Sequence, residues 1–183
     1  MQHAFWWKWE QQISKDLCEV VFKDITNLQK ETAVVLKERD KSTAIDKSQR
    51  NNDVVFLPTN HWLEGILYNH IRHANKAGGW DFDIADCEPV QIAMYSPGQF
   101  YDWHCDASML TKGTPRKLSA VLQLSDAADF TGGGLFIDGV EESCLNNQGD
   151  LVVFPSFFRH KAAEVLTGTR YTAVCWVHGA PFK

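Results

Sequence analysis

At 183 residues, with 44% hydrophobic and 12% aromatic content, the chain is long enough to bury about two-thirds of its unfolded surface and fits one globular domain. Eighteen basic against 23 acidic residues give a formal charge of −5, which weighs against the concentrated basic surface that phosphate binding demands. With no apolar run of membrane-spanning length, no basic-then-apolar leader and five scattered cysteines (Cys18, Cys87, Cys105, Cys144, Cys175) free of CxxC spacing, the sequence reads as cytoplasmic, without membrane span, signal peptide, disulfide framework or zinc ribbon.

The opening FWWKW cluster puts Phe5, Trp7 and Trp9 on one side of an extended segment, suited to core or edge packing. Ser14 is placed to cap a helix running to about Leu28, with Leu17, Val20, Val21, Ile25 and Leu28 at helical spacing on one face. Residues 37–53 are too polar for core and read as a solvated loop, with a lid over a site as the alternative. A second helix is expected from near Thr59, just after Pro58, burying Trp62, Leu63, Ile66, Leu67 and Ile71 and stopped by Gly78 and Gly79. Its His61, His70 and His73 have helical spacing but read as packed or exposed side chains rather than ligands.

From Asp81 onward the texture changes to short apolar runs broken by Gly, Pro, Asn and Asp. Strands are expected near 90–95, 101–104, 118–124, 134–137, 151–154 and 169–177, with a tight turn at Asn147, Gln148 and Gly149. Two helices followed by many short strands predict an α+β, mainly β, architecture. The expected fold is a double-stranded β-helix, the cupin-like jelly roll, with N-terminal helical support over about 1–80 and the jelly-roll core over about 81–178.

His104 and Asp106 carry the most information. Two residues apart on an extended strand, they project from one face and offer an imidazole and a carboxylate to a single ion. The 53 residues between Asp106 and His160 hold several strand-like runs, enough chain to fold back and supply His160 as a third ligand. Two histidines and a carboxylate on one side of a metal, with the opposite positions open, is the set used by non-haem Fe(II) oxygenases. Cys105, between the first two ligands, should face the other way and pack.

An isolated HxD pair is usually a surface feature, so the framing residues decide. Tyr95, Gly98, Tyr101, His104 and Asp106 keep the intervals Tyr-x2-Gly-x2-Tyr-x2-His-x-Asp. Beyond them lie KLSAVLQLSDAADFTGGGLFI and GDLVVFPSFFRHKAAEVLTGTRYTAVCWV. Over roughly residues 80–178 this pattern resembles the prolyl 4-hydroxylase-like group of Fe(II)/2-oxoglutarate dioxygenases, especially its small microbial single-domain hydroxylases. One departure is Gly134, where the family usually has an acidic residue after a Gly pair.

The resemblance implies Fe(II) held by His104, Asp106 and His160, with 2-oxoglutarate and O2 as co-substrates and ascorbate as a further candidate cofactor. It places Arg170 on the far carboxylate of 2-oxoglutarate, which a planar guanidinium meets with two parallel hydrogen bonds. Tyr95 would donate its hydroxyl to the same carboxylate, Thr172 would add a donor from the Arg170 strand face, and Trp176 would form an aromatic wall. Tyr101 either lines the substrate side or packs, and Arg116 and Lys117 are either surface charges or contacts for an acidic substrate. The implied reaction is hydroxylation of a prolyl or similar residue of a peptide or protein, with formation of succinate and CO2. Oxygenation of a free amino acid or other small molecule, or of methylated nucleic acid, is the alternative within that chemistry; a non-catalytic jelly-roll binding module is the alternative outside it.

Overall fold

The computed structural model describes residues 4–37, 42–107 and 114–181. In chain order its elements are β1 (Trp7–Trp9), α1 (Lys15–Ile25), β2 (Glu31–Thr32), β3 (Val35–Lys37), β4 (Ser42–Ala44), β5 (Arg50–Asn51), β6 (Asp53–Phe56) and α2 (Trp62–Ala77). There follow β7 (Ile84–Cys87), β8 (Gln91–Tyr95), β9 (Phe100–His104), β10 (Arg116–Gln123), β11 (Phe130–Gly132), β12 (Leu135–Ile137), β13 (Leu151–Pro155), β14 (His160–Ala162), β15 (Val165–Gly168) and β16 (Arg170–Gly179).

Both helices begin where a side chain can satisfy their first amides. Ser14, in extended backbone, accepts from the Leu17 N–H at 3.4 Å. The second helix starts three residues later than Thr59, because Asn60 adopts a positive φ and His61 is the cap, its Nδ1 accepting from Leu63 N–H at 3.3 Å. Gly78 ends it as expected. The helix ends at Ile25 rather than near Leu28, and its apolar stripe agrees with expectation at Val21, Ile25 and Leu28 but not at its edge: Cys18 is buried and Phe22 packs beside it, whereas Leu17 and Val20 are exposed. Positions 18, 21, 22 and 25 also follow helical spacing, so the buried face is turned toward Cys18 and Phe22. In α2, Leu63, Leu67 and Ile71 are fully buried, each stabilising by roughly 1.5–3 kcal/mol, while Trp62 and Ile66 are half-buried at its margin.

Two antiparallel sheets make the jelly roll. The larger runs β1-β13-β10-β16-β8-β6-β2, with β7 also on β16, and the smaller runs β12-β14-β9-β5. Period-two alternation sorts the larger sheet: Leu118, Ala120, Leu122, Ala173, Cys175, Val177, Ile92 and Met94 face the helices. Their neighbours Arg170, Thr172, Val174, Trp176, Val121 and Tyr95 face the cleft toward the smaller sheet.

The N-terminal part is not purely helical support. β1, β2 and β6 extend the large sheet, and β5 pairs with β9 in the small one. Residues 37–53 therefore hold β4 of the β3–β4 hairpin, β5 and the first residue of β6; the part of that expected loop at 38–41 lies outside the described residues. The FWWKW segment is an edge strand whose Trp7 and Trp9 rings pack on His73 and His70 of α2.

Candidate metal centre

The small sheet supplies the centre. β9 and β14 pair so that His104 and His160 are register partners, with a register shift immediately after His160. Asp106 follows β9 in a loop held by its own N–H bonding to the Ser156 carbonyl. One ligand atom from each of the three residues lies within 4.8 Å of the others, the one such group among the described residues. His104 Nε2 is 3.5 Å from Asp106 Oδ1, and His160 Nε2 is 3.4 Å from Oδ2.

Each ligand is oriented from behind. His104 Nδ1 donates to the Asp102 carbonyl at 2.7 Å and His160 Nδ1 to the Phe158 carbonyl at 3.0 Å, so both Nε2 atoms turn inward. Burial pushes the His160 imidazole down to about 4, leaving it neutral with a lone pair to donate. Burial also opposes the charge on Asp106, yet the facing His160 and His104 rings and the more distant Arg116 guanidinium outweigh it and hold the carboxyl well below its usual range. Asp106 Oδ2 accepts from Ser119 Oγ at 2.7 Å and Trp176 Nε1 at 2.8 Å. Tyr101 stacks flat on His104, ring centroids 3.4 Å apart.

Beside the triad opens a narrow cleft lined by both sheets. Its floor is Arg170, 2% exposed and among the largest fully buried side chains. Arg170 Nε donates to Gln123 Oε1 at 3.1 Å, while Nη2 is the one buried side-chain polar atom among the described residues without a hydrogen-bond partner. Gly133 makes room for it: a Cβ there would sit 3.0 Å from Arg170 Cδ, and its φ of +66° suits glycine. Tyr95 is the register partner of Arg170 on β8, and Thr172 follows on the same face, 2% exposed.

Residues 90–178 match the model of the 2OG-Fe(II) oxygenase superfamily. The match covers a little under half of the chain. The chain is 36% identical over 90 residues to a PKHD-type hydroxylase of Idiomarina loihiensis, covering 48% of this chain and 41% of the relative. The chain thus spans about two-fifths of the length of the curated relatives it matches. The likeness of fold extends further than the sequence match. A Pseudomonas putida prolyl-4-hydroxylase superposes with TM-score 0.71 at 22% identity, covering 98% of this chain and 94% of that one. A viral collagen prolyl hydroxylase from Paramecium bursaria Chlorella virus-1, solved as its 2OG complex, gives 0.70 at 18% identity and 97% of both chains.

The structure brings Tyr95, His104, Asp106, His160, Arg170, Thr172 and Trp176 to one cleft. Trp176 lines it, and also donates to the carboxylate. Cys105 differs from expectation: it is exposed, with Sγ 3.3 Å from the Phe157 carbonyl, because the chain leaves β9 at His104 and strand alternation stops there. Arg116 is neither bare surface charge nor unpaired, since it forks onto Glu88 at 2.5 and 2.6 Å and lies 3.9 Å over the Trp176 ring. Lys117 is 3% exposed rather than a surface residue. At Gly134 a Cβ would meet the Phe136 ring at 2.9 Å, so the family's acidic side chain has no space unless that ring moves.

Sequence reasoning missed four site residues. Ser119 and Gln123 hold the carboxylate and the guanidinium, and their signal was polarity at inward positions of an otherwise apolar strand. Gln91 and Arg50 also line the cleft, and Arg50 lies in the polar stretch 37–53, whose composition carries no such signal.

Proposed function

We propose that this chain is an Fe(II)/2-oxoglutarate-dependent dioxygenase that hydroxylates a prolyl or similar residue of a peptide or protein. We read it as one catalytic domain working in the cytoplasm; no helix among the described residues is long and apolar enough to cross a membrane. The observation that carries the reading is the pairing of a His-Asp-His donor set with a buried guanidinium nitrogen that has no partner of its own. The donor set suits ferrous iron, and the orphan nitrogen suits the far carboxylate of a dicarboxylic co-substrate. The hydroxylase names of the relatives and the prolyl hydroxylase structures support the substrate half.

His104, Asp106 and His160 would hold the metal, and Arg170, with the Tyr95 hydroxyl and Thr172, the co-substrate. Bound together with O2, these groups supply the oxidising power that inserts oxygen into a C–H bond as 2-oxoglutarate becomes succinate and CO2. The chain's own task is placement. The Asp102 and Phe158 carbonyls fix which nitrogen each histidine presents, and Ser119 and Trp176 fix the plane of the Asp106 carboxylate. Apolar Val121, Leu135 and Val174 line the cleft and limit water near the reacting centre.

Anaerobic titration with Fe(II) and 2-oxoglutarate should give the metal-to-ligand charge-transfer absorption of a chelated keto acid, and His160→Ala should lose it. Proline peptides should then stimulate succinate release and gain the mass of one oxygen. Ferrous protein that never consumes the keto acid would end the reading, and turnover stimulated by small molecules but never by peptides would end its substrate half.

A further inference from the structure

The cleft contains a second guanidinium. Arg50, half-buried on β5, lines it together with Arg170, and its strand register sets it opposite Tyr101 of β9. Its hydrogen bonds all go to neutral oxygens: Nε to Asn52 Oδ1 at 2.8 Å, Nη1 to the Val34 carbonyl at 3.2 Å and Nη2 to Gln91 Oε1 at 3.4 Å. No carboxylate among the described residues lies within 4.0 Å of it. Arg116, which lies over the Trp176 ring, has Glu88 as its countercharge.

A guanidinium has five N–H donors, so three neutral bonds position the group while leaving donors and the full charge available. Its carbon lies 4.6 Å over the Tyr101 ring, and Tyr101 in turn stacks on the metal-centre His104. The column of guanidinium, phenol and imidazole fixes a positive charge two stacking layers from a proposed ligand, so its conformational cost is met before any substrate arrives. A dicarboxylic co-substrate has one far carboxylate, and the deeper Arg170 already answers it.

Resting on the oxygenase reading of this cleft, we propose that Arg50 selects substrates carrying a carboxylate beside the carbon to be hydroxylated. That carboxylate belongs to an acidic neighbour of the target residue, to a chain terminus or to a free amino acid; the chemistry recognised is the same. A charge-assisted bond here should favour the acidic over the neutral form of one substrate about ten- to a hundredfold in kcat/KM, mostly through KM.

The test is a panel of N-acetylated proline peptides with Glu or Gln beside the proline, each with a free or an amidated C-terminus, together with L-proline and L-prolinamide. Succinate release is measured on wild type, Arg50→Gln and Arg50→Lys, and 2-oxoglutarate affinity is read separately from the anaerobic charge-transfer titration. The expected result is a preference for one carboxylate-bearing member, whose identity names the source, collapsing toward unity in Arg50→Gln and partly retained in Arg50→Lys. The comparison within wild type stands even if a variant fails to fold. Equal turnover of acidic and neutral partners, or a preference that survives Arg50→Gln, overturns the proposal. So does an Arg50→Gln protein whose main defect is 2-oxoglutarate affinity, which would assign Arg50 to the co-substrate. Silence across the panel also counts against Arg50, whereas the charge-transfer band decides independently whether the iron-centre reading stands.

Discussion

Replacing Arg170 by Met should strengthen the ligand-free fold and remove co-substrate binding, two effects of opposite sign from one side chain. Burial lowers the guanidinium pKa from 12.5 to about 10. A base depressed on folding is penalised wherever it is charged in both states, so the cost is fully present below the folded value, hence at neutral pH, and lifts only above it. At 1.36 kcal/mol per tenfold this is a destabilisation of ~3 kcal/mol. Met fills similar length without charge, but the bond to Gln123 Oε1 is lost and leaves that oxygen buried, at a cost of about 1–2 kcal/mol. The balance is a gain of about 1–2 kcal/mol, or roughly 2–8 °C in Tm for a chain of this size. In the other direction, a buried anion deprived of its charge partner should bind some two to three orders of magnitude more weakly. Thermal melts of both proteins, ligand-free and then anaerobically with Fe(II) and 2-oxoglutarate, measure both effects. An Arg170→Met protein that melts below wild type when ligand-free, or that keeps the co-substrate-dependent rise, would refute the reasoning.

Trp176→Phe keeps most of the ring but removes the N–H on Asp106 Oδ2; metal affinity, measured by chelator competition, should fall about 10–100-fold. Unchanged affinity would show that the indole does not orient the carboxylate. Gly168 has φ +73° and a Cβ there would lie 1.8 Å from the Asp129 carbonyl, so Gly168→Ala should cost about 3 kcal/mol or more in denaturant unfolding. The fully buried Asp150 carboxyl is held below its ordinary range: burial opposes its charge, but the N–H groups of Asn146, Gln11 and Asn147 and the Lys8 ammonium prevail. A depressed carboxyl contributes stability that is present above its unfolded pKa near 3.9 and lost as pH falls through the folded value. Asp150→Asn should therefore lower stability at pH 7 by about 1–3 kcal/mol and flatten the acid limb of a pH–stability curve.

The long strands were legible because alternation over five or more residues leaves a clear period: β8, β10, β13 and β16 fall within two residues of where the sequence puts them. Strands such as β5, β11 and β14, two or three residues long, show no period and form only because a longer neighbour templates them. The triad could be read because ligand identity and spacing are local. What holds it could not, since Ser119 reaches Asp106 and Gln123 reaches Arg170 only after distant strands come into register. In α1 the expected stripe holds at Val21, Ile25 and Leu28 but not at Leu17 and Val20, because the sequence carries two overlapping apolar faces and only the sheet beneath decides between them.

The first 56 residues close three open flanks of the jelly roll: β1 lies along β13, β6 along β8 and β5 along β9. A fragment trimmed to the most recognisable half would leave β13, β8 and β9 with rows of unsatisfied amides and carbonyls, templates for pairing with another molecule. The segment with the faintest family signature is thus what keeps the rest from joining its own copies. Expression of residues 81–178 alone should accordingly give aggregates rather than a small working enzyme.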